Sequence, residues 1–189
     1  MKKILIGLMV FFLSACTLMG AVTPKQKVSE FLDKYKNQDS EILTQLDETI
    51  NSEYTNDDYR SRYRTLMTNQ YKNLDYKIKD EVIEDDNAVV EAEITVYDYA
   101  SAIRNSNDYL NTNPNEFVLD NNDTETKKDD NMTTYDEDKF IDYRLKQMEN
   151  ISDTVTYTIE FTLTKVNGEW QMDALSNADI EKIHGIYNQ

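Results

Sequence analysis

Residues 154–174 read TVTYTIEFTLTKVNGEWQMDA, and this stretch decides the fold. Val155, Tyr157, Ile159, Phe161 and Leu163 fall on alternate positions, with Thr154, Thr156, Thr158, Glu160, Thr162 and Thr164 between them. Successive side chains of a strand point to opposite faces, so the pattern predicts a long strand with one face in a core and the other in water. Asn167-Gly168 follows, a dipeptide suited to the positive φ values of a tight hairpin turn. Trp170, Met172 and Ala174 then supply the returning strand.

The same period of two occurs further upstream. Leu74, Tyr76 and Ile78 alternate with Asp75, Lys77 and Lys79; after a turn near Asp85-Asp86-Asn87, the series Ala88, Val90, Ala92, Ile94 and Val96 alternates with Glu91, Glu93 and Thr95. Two more antiparallel strands are expected. Before them the period is 3.6. Thr23 is placed as an N-cap with Pro24 at the first helical position, and Val28, Phe31, Leu32 and Tyr35 mark one helical face. The run Asn37 to Ser40 interrupts this helix and caps a second one carrying Ile42, Leu43, Leu46 and Ile50. A third begins near Asn56-Asp57 and carries Tyr59, Tyr63, Leu66, Met67 and then Gln70 or Tyr71.

Between the two hairpins, Tyr97 to Leu110 is expected to be helical. Residues 111–135 hold few large apolar side chains beyond Phe117, Val118, Leu119 and Met132, and carry Asp120, Asp123, Glu125, Asp129 and Asp130; they are expected to form a mobile acidic insertion. A helix resumes over Asp136 to Gln147, with Phe140, Ile141, Leu145 and Met148 inward, and a closing helix runs from Ser176 or Asn177 through Ile180, Ile183 and Tyr187. Helices folded across one face of a four-stranded antiparallel sheet make an α+β domain, expected over residues 23–189.

The order of elements and the ending Thr162-Leu163-Thr164-Lys165-Val166-Asn167-Gly168-Glu169-Trp170-Gln171-Met172 resemble the cystatin-like, nuclear-transport-factor-type lipoproteins of unknown function. The resemblance spans residues 24–50, 74–97 and 154–175, and the stretch at 111–135 departs from it. It implies a curved sheet and a cone between helices and sheet that can hold a small ligand. Tyr63, Tyr76 and Tyr157 are the expected lining of such a cone. Against an open cone, the inward strand positions are chiefly Val, Ile, Ala, Phe and Leu.

The amino terminus carries a separate signal. Lys2 and Lys3 precede the uncharged apolar run Ile4 to Leu13. That run has the length of a signal-peptide core, whereas a membrane-spanning helix needs about 20 residues. Leu13-Ser14-Ala15-Cys16 resembles the lipobox of bacterial lipoproteins. The resemblance implies that residues 1–15 are a signal peptide, that Cys16 receives a diacylglyceryl thioether, and that residues 16–22 are a short tether. Two acyl chains hold a protein on a bilayer where one holds it marginally. The expected address is the outer face of a cell membrane, with the membrane and an envelope protein as partners.

Charge narrows the rest. The 189-residue chain carries 20 Lys and Arg against 36 Asp and Glu, a net charge of −16. Nucleic acid is bound by clustered Lys and Arg, so no nucleic-acid partner is expected. Cys16 is the only cysteine, which excludes an intrachain disulfide. His184 is the only histidine, and without a free thiol it cannot build a usual zinc tetrahedron; in a terminal helix it is expected to be exposed or capping. Asp120-Asn121-Asn122-Asp123-Thr124-Glu125 lacks the central Gly and distal Glu of a calcium-binding loop. Four scattered glycines provide no phosphate-binding loop. No cofactor, no metal and no catalytic residue is expected. The sequence points to a non-enzymatic binding module, with a small-ligand carrier or an enzyme using the cone as the alternative.

Overall fold

The computed structural model describes residues 22–119 and 135–188. Within them the chain runs α1 (Pro24–Lys36), α2 (Ser40–Glu53), α3 (Asp57–Asn73), β1 (Asp75–Glu84), β2 (Asn87–Tyr97), α4 (Tyr99–Thr112), a 3-10 turn (Pro114–Phe117), α5 (Glu137–Glu149), β3 (Thr154–Val166), β4 (Glu169–Met172) and α6 (Asn177–His184). This is the α+β class expected. The expected signal peptide, with Leu13, Ser14, Ala15 and Cys16, lies outside the described residues, as do the rest of residues 1–21, residues 120–134 and residue 189.

Every one of these helices opens on a side chain that accepts a backbone N–H of its first turn: Thr23, Asp39, Asn56, Asp98, Asp136 and Ser176. The first four N–H groups of a helix have no partner inside it, and each cap satisfies at least one. At α1 the cap is reciprocal, because Gln26 Oε1 also accepts from the Thr23 N–H at 2.9 Å.

The sheet has the order β1-β2-β3-β4, antiparallel throughout. All 11 residues of β2 pair with β3, from Asn87 opposite Thr164 to Tyr97 opposite Thr154. This register sets Ala88, Val90, Ala92, Ile94 and Val96 beside Leu163, Phe161, Ile159, Tyr157 and Val155, giving one continuous apolar face. Thr95, Thr156, Thr158, Glu160 and Thr162 occupy the other face; the even-numbered β3 residues from Thr154 to Thr162 are exposed. A one-residue slip would move every one of these apolar groups into water, so the register is strongly specified. The edge strand β1 carries an irregularity between Ile78 and Glu81 that the alternation did not foretell. Beyond it Glu81 and Ile83, not Asp80 and Val82, lie opposite Val90 and Ala88.

Helix α1 lies against β1, β2 and β4 and runs antiparallel to β1. The Lys25 N–H donates to Glu81 Oε1 at 3.1 Å and Lys25 Nζ to the Lys79 carbonyl at 2.9 Å. Towards the other end of α1, Tyr76 donates its hydroxyl proton to Asp33 at 2.8 Å. Helix α3 packs behind α1, and Arg62 bridges it to α5 through Asp142 at 2.7 Å and a forked contact with Glu149 at 2.7 and 3.0 Å.

Two further stretches differ from expectation. Residues 111–119 and Tyr135 are built into the fold: Phe117 is buried, its ring set edge-on to Phe140 at 5.5 Å, and Val118 bridges Tyr135. The aromatic ring, not the acidic surroundings, decides that segment. The last helix stops at His184, leaving Tyr187 beyond it, because Gly185 adopts φ +70° and closes the helix.

Gly185 is held by more than its own turn. The buried side-chain amide of Gln70 on α3 accepts from the Tyr97 N–H at 2.8 Å and donates to the Tyr97 carbonyl at 3.2 Å, capping the end of β2 as a further strand would. A Cβ on Gly185 would overlap both the Gln70 amide nitrogen and the Tyr97 carbonyl oxygen. The Gly185 carbonyl in turn accepts from the Ala100 N–H at 2.8 Å. Gly185→Ala is therefore expected to cost about 1 kcal/mol for its backbone and about 1–3 kcal/mol more for overpacking. Urea unfolding checks this: Gly185→Asn, which tolerates positive φ, should recover little, because the overlap remains.

Candidate functional site

The space between helices and sheet is filled. Val28, Leu32, Met67, Val90, Ala92, Ile94, Phe161 and Ile183 sit there without measurable exposure. Phe31 meets Phe161 edge-on at 6.0 Å, and Tyr35 meets Tyr71 at 5.1 Å, which closes the layer with aromatic rings. Among the described residues, no group of three or more metal-ligating side chains comes together.

The three tyrosines expected to line a cone face three different neighbours. Tyr63, on α3, packs beside Tyr54 at 5.4 Å on the side of α2, with Arg144 of α5 near enough to be felt electrostatically. Desolvation first, and the neighbouring Tyr54 and Glu53 next, push its hydroxyl well above the ordinary tyrosine range. Tyr76 is tied down to α1 through Asp33. Tyr157 is different, because it lines a cleft.

That cleft has a volume of about 320 Å³ and is bounded by Asp98, Arg104, Val155, Tyr157 and Tyr187. It forms where β2 ends, α4 begins and β3 starts, so residues far apart in the chain meet there. Asp98 leaves β2 with its N–H bonded to the Asp153 carbonyl at 2.9 Å, and its carboxylate accepts the Ser101 N–H at 3.0 Å, starting α4. Arg104 stands one and a half turns along α4, exposed. The Ala100-to-Gly185 backbone bond brings residues 185–188 alongside, so that Tyr187 meets Tyr157 edge-on at 5.8 Å and 89°. Lys182 supports Tyr187 from behind, its ammonium 5.5 Å from the ring centre.

Asp98 and Arg104 both line the cleft without forming an ion pair with each other. Among the described residues Arg104 forms no ion pair, and its side-chain hydrogen bond is a 3.4 Å contact with Asn188 Oδ1. Arg60, Arg62 and Arg64 each meet a carboxylate closely, Arg62 with Asp142 and Glu149 and Arg64 with Asp47 at 2.6 Å, while Arg144 lies over the Phe140 ring. No partner is present for the Tyr157 or Tyr187 hydroxyl among the described residues. Desolvation raises the Tyr157 pKa, with Asp98 adding to the rise and Arg104 opposing it, so both charges act on that hydroxyl. Neither Asp98 nor Arg104 carries a motif; the only hint in the sequence is a lone base on a helix of a strongly acidic chain.

A smaller depression of about 170 Å³ lies at the other end of the sheet, bounded by Val82, Glu84, Asn87, Ala88 and Val89. It has no cation and no converging donors.

His184 is neither exposed nor a cap. Its ring packs against Tyr71 and Tyr35, at 5.6 and 6.4 Å between centres, and Nε2 lies 3.1 Å from the Tyr71 hydroxyl. Burial holds its pKa down to about 4. A folded-state pKa below the unfolded 6.5 means the unfolded chain binds the proton first. The contribution of this histidine is therefore complete above pH 6.5 and is lost as the pH falls towards 4. The residue keeps some contact with water, so the loss is on the order of 2 kcal/mol. Urea titrations at pH 7 and pH 4.5 check this: His184→Gln should show a shallower fall in stability than the parent, and an equal fall would refute the assignment.

No family model matches the sequence, and no curated protein does either. Among solved structures, the chain is similar to ycdA, a candidate lipoprotein of Bacillus subtilis, with a TM-score of 0.42 and 16% identity over 86% of this chain. The match covers 48% of that protein, so the chain spans about half its length.

Proposed function

We infer that the protein is a lipid-anchored, extracytoplasmic binding module of a cell envelope, held by Cys16 and acting without catalysis. The observation that carries this is the tetrapeptide Leu13-Ser14-Ala15-Cys16 at the end of an apolar run that follows two lysines. A folded domain begins shortly after it, with α1 capped at Thr23. Seven residues, Cys16 to Val22, reach at most about 25 Å when extended, so such a tether keeps the domain close to the bilayer. Among the described residues no helix is long and apolar enough to cross a membrane, and attachment through Cys16 requires none.

The acidic body fits this reading. Removing residues 1–15 takes away two lysines and no acid, so the mature chain is still more negative than the −16 of the precursor. A surface of that sign is repelled by anionic lipid, and a covalent anchor overcomes the repulsion. The tether would join the domain beside Glu81, near the β1–β2 turn, while the Arg104–Tyr157 cleft lies at the opposite end of β2. An 11-residue strand is about 35 Å long, so the cleft would stand well clear of the lipid surface.

Cys16→Ser is expected to move the protein from the membrane fraction to the soluble fraction. Intact mass of the parent should begin at an acylated Cys16. An unmodified thiol, or a variant that stays on the membrane through a carbonate wash, would overturn the anchor.

A further inference from the structure

We propose that the cleft between α4, β3 and the segment after α6 binds a monoanionic carboxylate carried on a flat or apolar body, the carboxylate on Arg104 and the body against Tyr157 and Tyr187. The proposal rests on the binding-module reading and is independent of the anchor. Three observations support it.

The first is the state of Arg104. In a chain with 36 acids and 20 bases, a guanidinium lining a cleft meets, among the described residues, only a neutral amide at 3.4 Å. Its fork of N–H donors matches the two oxygens of a carboxylate, and such paired contacts are among the stronger hydrogen bonds available to a protein. The second is the aromatic corner. Tyr157 and Tyr187 stand at 89° to each other, presenting one ring face and one ring edge together with two hydroxyls that no described residue engages. Such a corner accepts a planar or branched apolar group and donates to oxygen at its rim. The third is Asp98. Its carboxylate lines the same cleft and already accepts the Ser101 N–H. A dianion such as a phosphate monoester would be repelled by it, as by the net charge of the whole chain, roughly twice as strongly as a carboxylate.

The volume of about 320 Å³ suits a group the size of an N-acylated amino acid. The same chemistry is offered by a free organic acid and by the carboxy terminus of a peptide. N-acetylphenylalanine is the probe for the first, a tetrapeptide ending in phenylalanine for the second, and N-acetylphenylalanine amide is the neutral control.

Ligand-observed NMR and calorimetry with the whole protein in detergent test the proposal. The carboxylate probe should bind with a Kd of about 1 mM or tighter. The amide should bind at least about tenfold more weakly, and Arg104→Gln should weaken the carboxylate by a similar factor. Asp98→Asn keeps a residue able to cap α4 and should strengthen binding by about two- to fivefold. Arg64→Gln, at an exposed pair far along α3, should change nothing. Arg104 is exposed, so its variant leaves the core intact, and an unchanged melting temperature confirms that. Tighter binding of the tetrapeptide than of N-acetylphenylalanine would support a chain terminus as the source; the reverse would support a free acid. Equal affinity for acid and amide, tighter binding of phenyl phosphate, or no binding at 10 mM, a concentration about tenfold above the expected Kd, would each overturn the proposal. The fractionation of Cys16→Ser would be untouched by any of these results.

Discussion

Four elements of this fold meet at one buried polar contact. The Gln70 side chain pairs with both backbone groups of Tyr97, where β2 has no further strand beside it, and Gly185 passes so close that a methyl group would not fit. A buried N–H or C=O left without a partner costs about 1–3 kcal/mol, so the amide does more than fill space. It fixes α3 to the last residue of β2. Gly185 then links α6 to the first turn of α4 through the Ala100 N–H. The direction in which α4 leaves the sheet, and the position of the chain after α6, both follow from this junction.

The cleft is a by-product of the same geometry. Asp98 and Arg104 belong to the chain as it departs from β2, Val155 and Tyr157 to β3 where it pairs with that departing end, and Tyr187 to the segment that Gly185 turns back. Polar groups gather here because the sheet runs out and the helices begin. The interior proper is sealed by side chains such as Leu32, Met67 and Phe161. A site at the rim needs no cavity in the core, and the hydrophobic packing that stabilises the domain is kept whole.

Periodicity made most of the framework legible. Alternation in β2 and β3 is dictated by a sheet with one dry face, and the caps at Thr23, Asp39, Asn56 and Ser176 are local chemistry that leaves its mark on sequence. What escaped was set by contacts between distant residues. The irregularity in β1 depends on where Glu81 meets α1, the end of α6 on how near Gln70 comes, and the order around Phe117 on rings from α4 and α5. Of the tyrosines singled out by type, only Tyr157 reached the cleft. Arg104 and Asp98 carry no signal of their own, since their proximity to Tyr157 is created by the pairing of Tyr97 with Thr154. Composition could place a cation in an acidic chain but could not say that, among the described residues, it would form no ion pair.

An open sheet has two edges, each a row of backbone groups able to template another chain. Here β4 is only four residues long and β1 is broken near its middle, with Lys77, Lys79 and Asp80 along it. A second molecule attempting to add a strand to β1 would find its ladder interrupted and charged side chains along it. The irregularity that sets Glu81 towards α1 thus also guards that edge against strand addition. That protection matters most for a molecule crowded with copies of itself.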